Sequence, residues 1–388
     1  MRVGALSLEN FRNYELQKVE LRPGLNLILG RNAQGKTNLL EAVYRLSGLA
    51  SPRGPDSLLV REGAETALIH ADVTRGSRTV HVDMELRGGR AARALINRKA
   101  VPSAKALGEL AVSVFFGPDE LSLVKGSPDG RRRFLDDLVV KLRPAQVSIR
   151  RDFERALKQR NALLRGMARG TQSDQGSLEV WDETFCSAAA ALGAARLRAL
   201  AALIPFASRR YREIAGGGEL DLTYVSSWCL PDAAAAALSD PDEIDPVQLA
   251  ALLADRISQV RRGELERGMT LAGPQRDDVN VGLDSPGSAF GMLDARNFAS
   301  QGDQRSTALA LKIGEHDLLS GALDDAPILL LDDVFSELDP QRRRWLRDAV
   351  RGIGQTLLSS AEVDSYQSLE AEAVFEVSQG MARLLEAG

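Results

Sequence analysis

The sequence predicts an α/β protein of mixed sheets and helices into which a mainly helical arm domain is inserted. Three observations lead to this prediction. An apolar run, a glycine-rich turn and a helical pattern follow one another at residues 25–46, and a second apolar run ending in two aspartates lies at residues 328–333. Between them lie long segments rich in alanine, leucine and arginine, which favour helices.

The length of the chain favours more than one compact domain. Its 388 residues exceed what one hydrophobic core usually serves. Because the strand patterns lie toward the two ends of the chain, we expect both ends to build one head domain. We place the arm domain at residues 131–264, so that residues 1–130 and 265–388 are the N-terminal and C-terminal parts of the head.

The composition argues against a membrane protein. Hydrophobic residues make up 44% of the chain and charged residues 26%, and no uninterrupted apolar run approaches the ~18 residues of a membrane helix. The N-terminus lacks the apolar core and cleavage site of a secretory signal. We interpret Cys186 and Cys229 as buried thiols. We therefore expect a cytoplasmic protein.

Strand patterns are concentrated in the two parts of the head. Residues 80–86 alternate between apolar and polar side chains, which is typical of a strand with one buried face. The arm contains two predicted helices with a polar link at residues 170–176, which suggests an antiparallel pair. The predicted strands are residues 3–8, 25–29, 80–86, 112–116, 279–281, 328–331 and 355–358, and the predicted helices are residues 131–168, residues 177–214 and a helix from Lys36.

The net charge of −4 leaves nucleic-acid binding to a local patch. Residues 131–165 contain eleven basic and four acidic residues. Two interpretations stay open: these residues are solvated helix faces, as charge runs often are, or they contact DNA. The same two interpretations apply to Arg342, Arg343 and Arg344, for which we favour a solvated helix face.

The turn at Gly30 has the spacing of a phosphate-binding loop, Walker A. Glycine at both ends lets backbone N–H groups face phosphate oxygens. Lys36 would reach the β- and γ-phosphates, and the Thr37 hydroxyl would bind Mg²⁺. The alternative is an ordinary glycine turn that does not bind a nucleotide. The predicted nucleotide-binding residues are Gly30, Arg31, Asn32, Ala33, Gln34, Gly35, Lys36, Thr37 and Asn38.

The second apolar run ends in Asp332 and Asp333. Ligands of open α/β sheets collect at the carboxyl ends of buried strands. Asp332 would hold Mg²⁺ together with Thr37, and Asp333 would orient or deprotonate the attacking water. A solvated acidic turn is the alternative. The predicted cofactors are ATP and Mg²⁺, and the predicted catalytic residues are Lys36, Asp332 and Asp333.

Two further motifs carry a resemblance. Ser300-Gln301-Gly302-Asp303-Gln304-Arg305 precedes a helical run, and Ser336-Glu337-Leu338-Asp339 follows the aspartates. This order resembles the ABC-type ATPases, with their signature motif and D-loop. The resemblance implies an ABC-type P-loop ATPase head and an ATP-dependent homodimer, in which Ser300, Gly302, Gln304 and Asp339 serve the nucleotide of the second copy. A helix N-cap is the simpler role for Ser300.

Stretches along the whole chain are similar to the RecF family of bacterial DNA replication and repair proteins, which is related to the Rad50 and SMC heads. They lie at residues 8–14, residues 126–128 with 132–136, residues 157–164 and residues 273–278. The resemblance implies a weak, DNA-stimulated ATPase that binds duplex DNA near single-stranded gaps, associates with the nucleoid and works with RecR and RecO to load RecA.

The sequence departs from the family at several positions. Gln275 stands where we expect histidine, and Asp333 stands where most ABC-type ATPases have glutamate. The Q-loop glutamine cannot be placed, and Ser359 and Ser360 occupy the place of the switch histidine.

Two other functions compete with the DNA-binding ATPase. The energy subunit of a membrane importer would carry its signature motif closer to the phosphate loop. A nuclease with an ABC-type head would need a second acidic cluster. The dense candidate is Asp232, Asp240, Asp242, Glu243 and Asp245, which we interpret as a solvated loop. His70, His81 and His316 are scattered in sequence and have no zinc-site spacing, so we expect structural roles for them.

Overall fold

The computed structural model describes residues 1–170, 175–229, 234–235, 238–284, 291–361 and 370–387. Within these, the chain forms two compact units. The first unit comprises Met1–Leu121, Arg210–Gly217 and Gln301–Gly388, and the second comprises Ser122–Arg209 and Gly218–Ser300. An α/β fold with an inserted, largely helical unit is therefore confirmed.

The boundaries of the units differ from the domain limits that we placed at residues 130/131 and 264/265. The difference at the second limit arises from a small sheet. Residues 278–284 form a strand, as the sequence predicts, but this strand pairs with residues 219–225 of the second unit. Strand periodicity alone does not reveal which sheet a strand joins, so the domain limits stay a prediction.

The strands are numbered in chain order. They are β1 (Arg2–Phe11), β2 (Tyr14–Glu20), β3 (Leu25–Leu29), β4 (Thr66–Arg75), β5 (Arg78–Arg87), β6 (Arg93–Ile96), β7 (Lys99–Ala100), β8 (Ser113–Phe116), β9 (Glu219–Val225), β10 (Asp278–Asp284), β11 (Leu293–Asp294), β12 (Ile328–Asp332), β13 (Thr356–Ser360), β14 (Ala373–Ser378) and β15 (Met381–Ala387).

The α-helices are numbered in the same way. They are α1 (Lys36–Arg45), α2 (Ser122–Lys125), α3 (Pro128–Leu142), α4 (Ile149–Ala168), α5 (Gln175–Ala215), α6 (Pro246–Arg267), α7 (Ala295–Phe298), α8 (Gln301–Ala322) and α9 (Pro340–Ala349). Short 3-10 turns lie at Asp56–Leu58, Ala104–Glu109, Pro118–Leu121, Pro144–Ser148, Pro241–Glu243, Pro274–Arg276 and Phe335–Glu337.

The first unit contains two six-stranded sheets. One has the order β2-β1-β4-β5-β6-β7, and its neighbouring strands are antiparallel. Its strands alternate between buried and more exposed residues, as β4 illustrates. Antiparallel sheets with one solvated face have this pattern. One face of β4 and β5 is therefore accessible.

The other sheet has the order β15-β14-β3-β13-β12-β8, and five of its strands are parallel. Every residue of β3, β8, β12 and β13 is buried. Continuous apolar runs are what a parallel sheet covered on both faces requires. Because parallel strands end at one edge, the segments that follow these four strands meet there.

The second unit is mostly helical, with the small sheet β11-β10-β9. The helix predicted at residues 131–168 is instead two helices, α3 and α4. Proline disfavours the helical conformation of the preceding residue and cannot donate a backbone hydrogen bond. Arg143, which precedes Pro144, has φ −139° and ψ 84°, so α3 ends before it.

Helix α5 is long and apolar. Its segment Gly176–Ala215 could cross a membrane by length and composition alone, but 67% of its most apolar window is buried inside the protein. A buried core helix has the same composition. The structure therefore gives α5 a packing role that explains its hydropathy.

Candidate nucleotide-binding site

The phosphate loop follows β3 and leads directly into α1, as the sequence predicts. Gly30 has φ +155° and Gly35 has φ +121°. A Cβ atom on Gly30 would lie 2.2 Å from the carbonyl oxygen of Val377, and one on Gly35 would lie 2.7 Å from Nδ2 of Asn13. Both glycines are thus required by backbone conformation and by close neighbours.

Lys36 is the first residue of α1, and its side chain folds back over the loop. Its Nζ donates hydrogen bonds to the carbonyl oxygens of Gly30 at 2.6 Å and Arg31 at 3.0 Å. Burial lowers the pKa of Lys36, whereas Asp333 and Asp332 act against that shift. The loop thus positions a buried cation beside two carboxylates.

Asp332 receives hydrogen bonds from two hydroxyl groups. Thr37 Oγ1 lies 2.9 and 2.8 Å from its two carboxylate oxygens, and Ser359 Oγ lies 2.6 Å from Oδ1. Hydroxyl and carboxylate oxygens are ligands that Mg²⁺ accepts, often with several waters retained. Thr37 and Asp332 therefore fit a magnesium ion. Ser359, which ends up beside Asp332 because β13 neighbours β12, was not among the predicted site residues.

Asp333 has the left-handed conformation, with φ +48°. Its backbone N–H donates to the carbonyl oxygen and to Oγ of Ser359, at 3.2 and 3.1 Å. Among the described residues, its buried Oδ1 has no hydrogen-bond partner. Burial raises the pKa of Asp333, against the opposing charge of Lys36. A buried acceptor without a partner is costly and is typical of functional sites.

A cavity of about 450 Å³ joins these groups. Three of its lining residues, Arg53, Pro118 and Asp119, are not among the predicted site residues, because nothing in their local pattern marks them as such. Asp119 follows β8, whose end lies beside that of β12. The lining comprises Asn32, Ala33, Gly35, Lys36, Thr37, Asn38, Arg53, Pro118, Asp119, Asp332 and Asp333. The chemical roles of the predicted residues stay a prediction.

The remaining loop residues support its conformation. Arg31 contributes the carbonyl oxygen that Lys36 contacts. Gln34 accepts a hydrogen bond from Nδ2 of Asn13 through its carbonyl oxygen, and its Oε1 accepts one from the Gln379 N–H. The side chain of Gln34 is therefore engaged with the turn after β14.

Arg342 lies close to both the signature motif and the D-loop, and its Nη2 is 3.8 Å from Oδ1 of Asp303. Its Nη1 donates to Asp339 at 2.8 Å, and it lies 2.8 Å from where a Cβ of Gly302 would be. Asp339 also caps α9 by accepting from the Gln341 and Arg342 N–H groups. Gln304 is buried in α8, and Ser300 is exposed just before it. None of Gly302, Gln304 and Asp339 is among the described lining residues, so their role in a second copy's site stays a prediction.

Several of the basic residues that we interpreted as either solvated or in contact with DNA have partners within the protein. Arg131 pairs with Asp278 at 2.7 Å, and Arg160 is fully buried with Glu264 at 2.6 Å. Near the D-loop, Arg343 Nε donates to the Leu338 carbonyl oxygen at 2.7 Å. Counting charges along the sequence therefore overestimates the free basic surface, because arginine also serves as an internal crosslink.

A smaller basic surface remains on α4. Arg151, Arg155, Lys158 and Arg165 are exposed and recur at helical spacing, so they lie along one face. Arg151 also pairs with the exposed Asp152 at 3.4 Å. The opposite face is buried. We call these four residues the basic stripe. With a rise of about 1.5 Å per residue, the stripe is roughly 20 Å long.

The cysteines are buried, as predicted. Two of the three histidines, although scattered in sequence, are neighbours in the structure. His70 and His81 lie side by side on β4 and β5, with ring centroids 6.4 Å apart. The proximity of these two histidines depends on the register of β4 against β5, which cannot be read from the sequence alone.

The chain is similar to known proteins over nearly its whole length. A family model described as the RecF/RecN/SMC N terminal domain matches residues 2–382. The DNA replication and repair protein RecF of Acidothermus cellulolyticus is 43% identical over 364 residues, which cover 93% of this chain and 94% of that protein. RecF of Streptomyces avermitilis is 41% identical over 387 residues, which cover 98% and 99%.

Two solved structures extend this similarity to the fold. The structure of "the recombination mediator protein RecF-ATP in RecFOR pathway" has a TM-score of 0.87 and 26% identity, with coverage of 99% of this chain and 97% of that one. An Smc head bound to the C-winged helix domain of ScpA has a TM-score of 0.56 at 14% identity, over 99% and 97% of the two chains. The second match concerns the fold alone.

Proposed function

We propose that this chain, which belongs to the RecF family of DNA replication and repair proteins, is an ATP-dependent, DNA-binding switch. The observation that carries the proposal is the contact between the Thr37 hydroxyl and the Asp332 carboxylate at 2.8 Å, across 295 residues of sequence. This contact lies beside Lys36 in one cavity. It combines a phosphate-binding loop with a carboxylate at the end of a buried strand.

ATP would bind with its phosphates against residues 30–38. The backbone N–H groups and the N-terminus of α1 favour phosphate oxygens. Lys36 would exchange its carbonyl partners for the β- and γ-phosphates, and Thr37 and Asp332 would hold Mg²⁺, which neutralises phosphate charge. The RecF-ATP structure with 26% identity supports ATP as the nucleotide.

Asp333 is the proposed base for hydrolysis. Its buried Oδ1 has no hydrogen-bond partner among the described residues, so its lone pairs are not committed to the protein and would accept a proton from a water molecule admitted to the site. Ser359 contacts both Asp332 and the backbone of Asp333, and therefore keeps the two carboxylates in register. Aspartate reaches less far than the glutamate of most ABC-type ATPases, which suits slow hydrolysis and a switch.

A second copy of the chain would complete each site. Ser300 and Gly302 lie at the N-terminus of the 22-residue helix α8, where N–H groups favour anions. We propose that Ser300, Gly302, Gln304 and Asp339 of one copy approach the γ-phosphate bound by the other. ATP would then bridge the copies, and its hydrolysis would release them.

The basic stripe on α4 is the proposed contact with duplex DNA. Its charges would bind phosphates, so affinity should fall steeply with salt and depend little on sequence. We propose that the chain acts in the cytoplasm near the nucleoid, at gapped DNA, with RecO and RecR and indirectly with RecA. Two RecF structures similar to this chain, both described as part of the RecFOR pathway, support these partners.

The two competing functions have less support. In the suggested nuclease cluster, Asp240 and Asp245 accept hydrogen bonds from the backbone N–H groups of Asp242 and Val247, so they cap short turns and a helix. Asp232 lies outside the described residues. Among the described residues, no contact supports a role as the energy subunit of a membrane importer.

DNA affinity measured with and without ATP tests the proposal. In fluorescence anisotropy with labelled gapped duplex, ATP and Mg²⁺ should tighten binding by wild-type protein. Lys36→Ala should retain the nucleotide-free affinity and lose the ATP effect, because the loop lacks its phosphate cation. Equal ATP effects in both proteins would contradict the proposal, as would the absence of any ATP effect in wild type.

A further inference from the structure

We propose that His70, His81 and Asp83 form a binding site for one divalent transition-metal ion of the Zn²⁺ class, with Asp72 as a positioning residue. The site lies on the exposed face of β4 and β5 in the first unit. It is separate from the Mg²⁺ ligands Thr37 and Asp332, and it does not depend on the proposed function.

The strand register creates the cluster. β4 and β5 are antiparallel, with His70 opposite Asp83 and Asp72 opposite His81. Alternate residues of a strand share a face, and the neighbours Ala71 and Val82 are buried. The four side chains therefore form a two-by-two arrangement of imidazoles and carboxylates on the accessible face.

The distances fit a metal ion that binds nitrogen and oxygen. Asp83 Oδ1 lies 2.6 Å from His70 Nδ1 and 3.1 Å from His81 Nε2. Ligand atoms offered by these three residues all lie within 4.8 Å of one another. With metal–ligand bonds of about 2.0–2.1 Å, ligand atoms in a tetrahedral site are roughly 3.4 Å apart. Small side-chain rotations would therefore admit the ion.

Asp72 controls the orientation of His81. Its Oδ1 lies 2.9 Å from His81 Nδ1. When a carboxylate accepts from one imidazole nitrogen, the ring is fixed with its other nitrogen available as a ligand. Here the other nitrogen is Nε2, which faces Asp83. The arrangement is the carboxylate–histidine pair that commonly supports metal ligands.

The surroundings favour a cation of this class. The adjoining cavity, about 360 Å³, is also lined by Lys18 and Glu20 of β2, which balance each other's charge. The two aspartates therefore leave local negative charge. Imidazole nitrogen suits Zn²⁺, Cu²⁺ and Ni²⁺, whereas Mg²⁺ and Ca²⁺ prefer oxygen ligands. Three protein ligands leave a further coordination position for water.

Metal binding would link β4 to β5 through side chains. An ion that binds the folded state alone stabilises it in proportion to the logarithm of its concentration. Zn²⁺ should therefore raise the melting temperature of the protein. The same shift should be absent when the ligands are replaced.

The test measures Zn²⁺ binding to the untagged full chain by calorimetry, without nucleotide and with excess Mg²⁺ to occupy the phosphate-loop site. Co²⁺ absorption gives an independent readout of coordination. We expect one ion per chain. His81→Ala and Asp83→Asn should each weaken binding at least tenfold, and Asp72→Asn about tenfold, which is the usual effect of losing a residue that orients a ligand.

Glu85→Gln is the matched control. Glu85 lies on the same strand and face as Asp83 but pairs with Arg87, so its replacement should leave Zn²⁺ affinity unchanged. A Cys186→Ser, Cys229→Ser double variant should also bind normally. Undiminished binding by His81→Ala and Asp83→Asn would overturn the proposal, and so would wild-type protein that binds neither Zn²⁺ nor Co²⁺. Circular dichroism of the metal-free variants distinguishes ligand loss from unfolding.

Discussion

The Ser359 hydroxyl is expected to be important for hydrolysis although it was not among the predicted site residues. It donates to Asp332 at 2.6 Å and accepts from the Asp333 N–H at 3.1 Å. A hydrogen bond to a charged group contributes about 1.5–3 kcal/mol. Since about 1.4 kcal/mol corresponds to a tenfold change in rate, Ser359→Ala should lower kcat about tenfold to a hundredfold.

The assay is phosphate release at saturating ATP and Mg²⁺, with and without duplex DNA, beside nucleotide binding by a fluorescent ATP analogue. The matched control is Ser113→Ala. Ser113 is another buried strand serine, and its hydroxyl has no hydrogen-bond partner among the described residues. Its removal should leave kcat unchanged.

Two results would refute this reasoning. Ser359→Ala could hydrolyse ATP at the wild-type rate while binding nucleotide normally, which would show that the contacts with Asp332 and Asp333 do not matter for the reaction. Alternatively, Ser113→Ala could slow hydrolysis equally, which would indicate a general response to changes in the sheet.

Three further predictions concern other parts of the molecule. Asp333→Asn should lower kcat about 10²–10⁴-fold, which is the usual contribution of a general base, while ATP binding persists in the fluorescence assay. Hydrolysis at the wild-type rate would show that Asp333 is not the general base. Glu264→Ala should lower the free energy of unfolding by about 3–5 kcal/mol in urea titrations, because it leaves the buried Arg160 short of a partner. The control Glu266→Ala should lower it by under about 1 kcal/mol, since the pair of Glu266 with Arg262 is exposed. Equal losses in the two variants would argue against a structural role for the buried pair. The salt dependence of DNA binding is the slope of the logarithm of the binding constant against the logarithm of the salt concentration. The double variant Arg155→Ala, Lys158→Ala should reduce this slope by about 2, and Arg262→Ala should leave it unchanged. An unchanged slope in the double variant would place the DNA contact elsewhere.

The phosphate loop and its aspartates could be predicted because each is a local pattern. Gly30, Lys36 and Thr37 have fixed spacing within one turn, and the buried run before Asp332 identifies its strand. The pairing of these distant segments was predicted from their chemistry, because a phosphate-binding loop needs a carboxylate that can hold Mg²⁺, and the ABC-type resemblance agrees with it. The contact between Thr37 and Asp332 agrees with that pairing.

The contacts that sequence reasoning did not predict depend on which strands are neighbours. Ser359 contacts Asp332 because β13 lies beside β12, and Asp119 lines the cavity because β8 lies on the other side. His70 and His81 meet through the β4–β5 register. Such non-local pairings leave no periodic signal in the sequence.

Residues 131–165 show that a count of charged residues does not predict the role of each one. Charge counting treated residues 131–165 as one group, either solvated helix faces or a DNA contact, whereas Arg131 and Arg160 are internal partners of acidic residues. Arg131 and Arg160 are buried, whereas the residues of the basic stripe are exposed, and the sequence does not reveal this difference. The break between α3 and α4 was, in contrast, readable in principle, since Pro144 lies within the predicted helix.

We propose that ATP bound at residues 30–38 joins two copies of the chain. Molar mass measured by light scattering after size exclusion tests it most directly. With ATP and Mg²⁺, Asp333→Asn protein, in which hydrolysis is expected to be slow, should have the mass of a dimer, and the Asp333→Asn, Lys36→Ala double variant should remain a monomer. A mass that is the same for both proteins, with and without ATP, would contradict the claim.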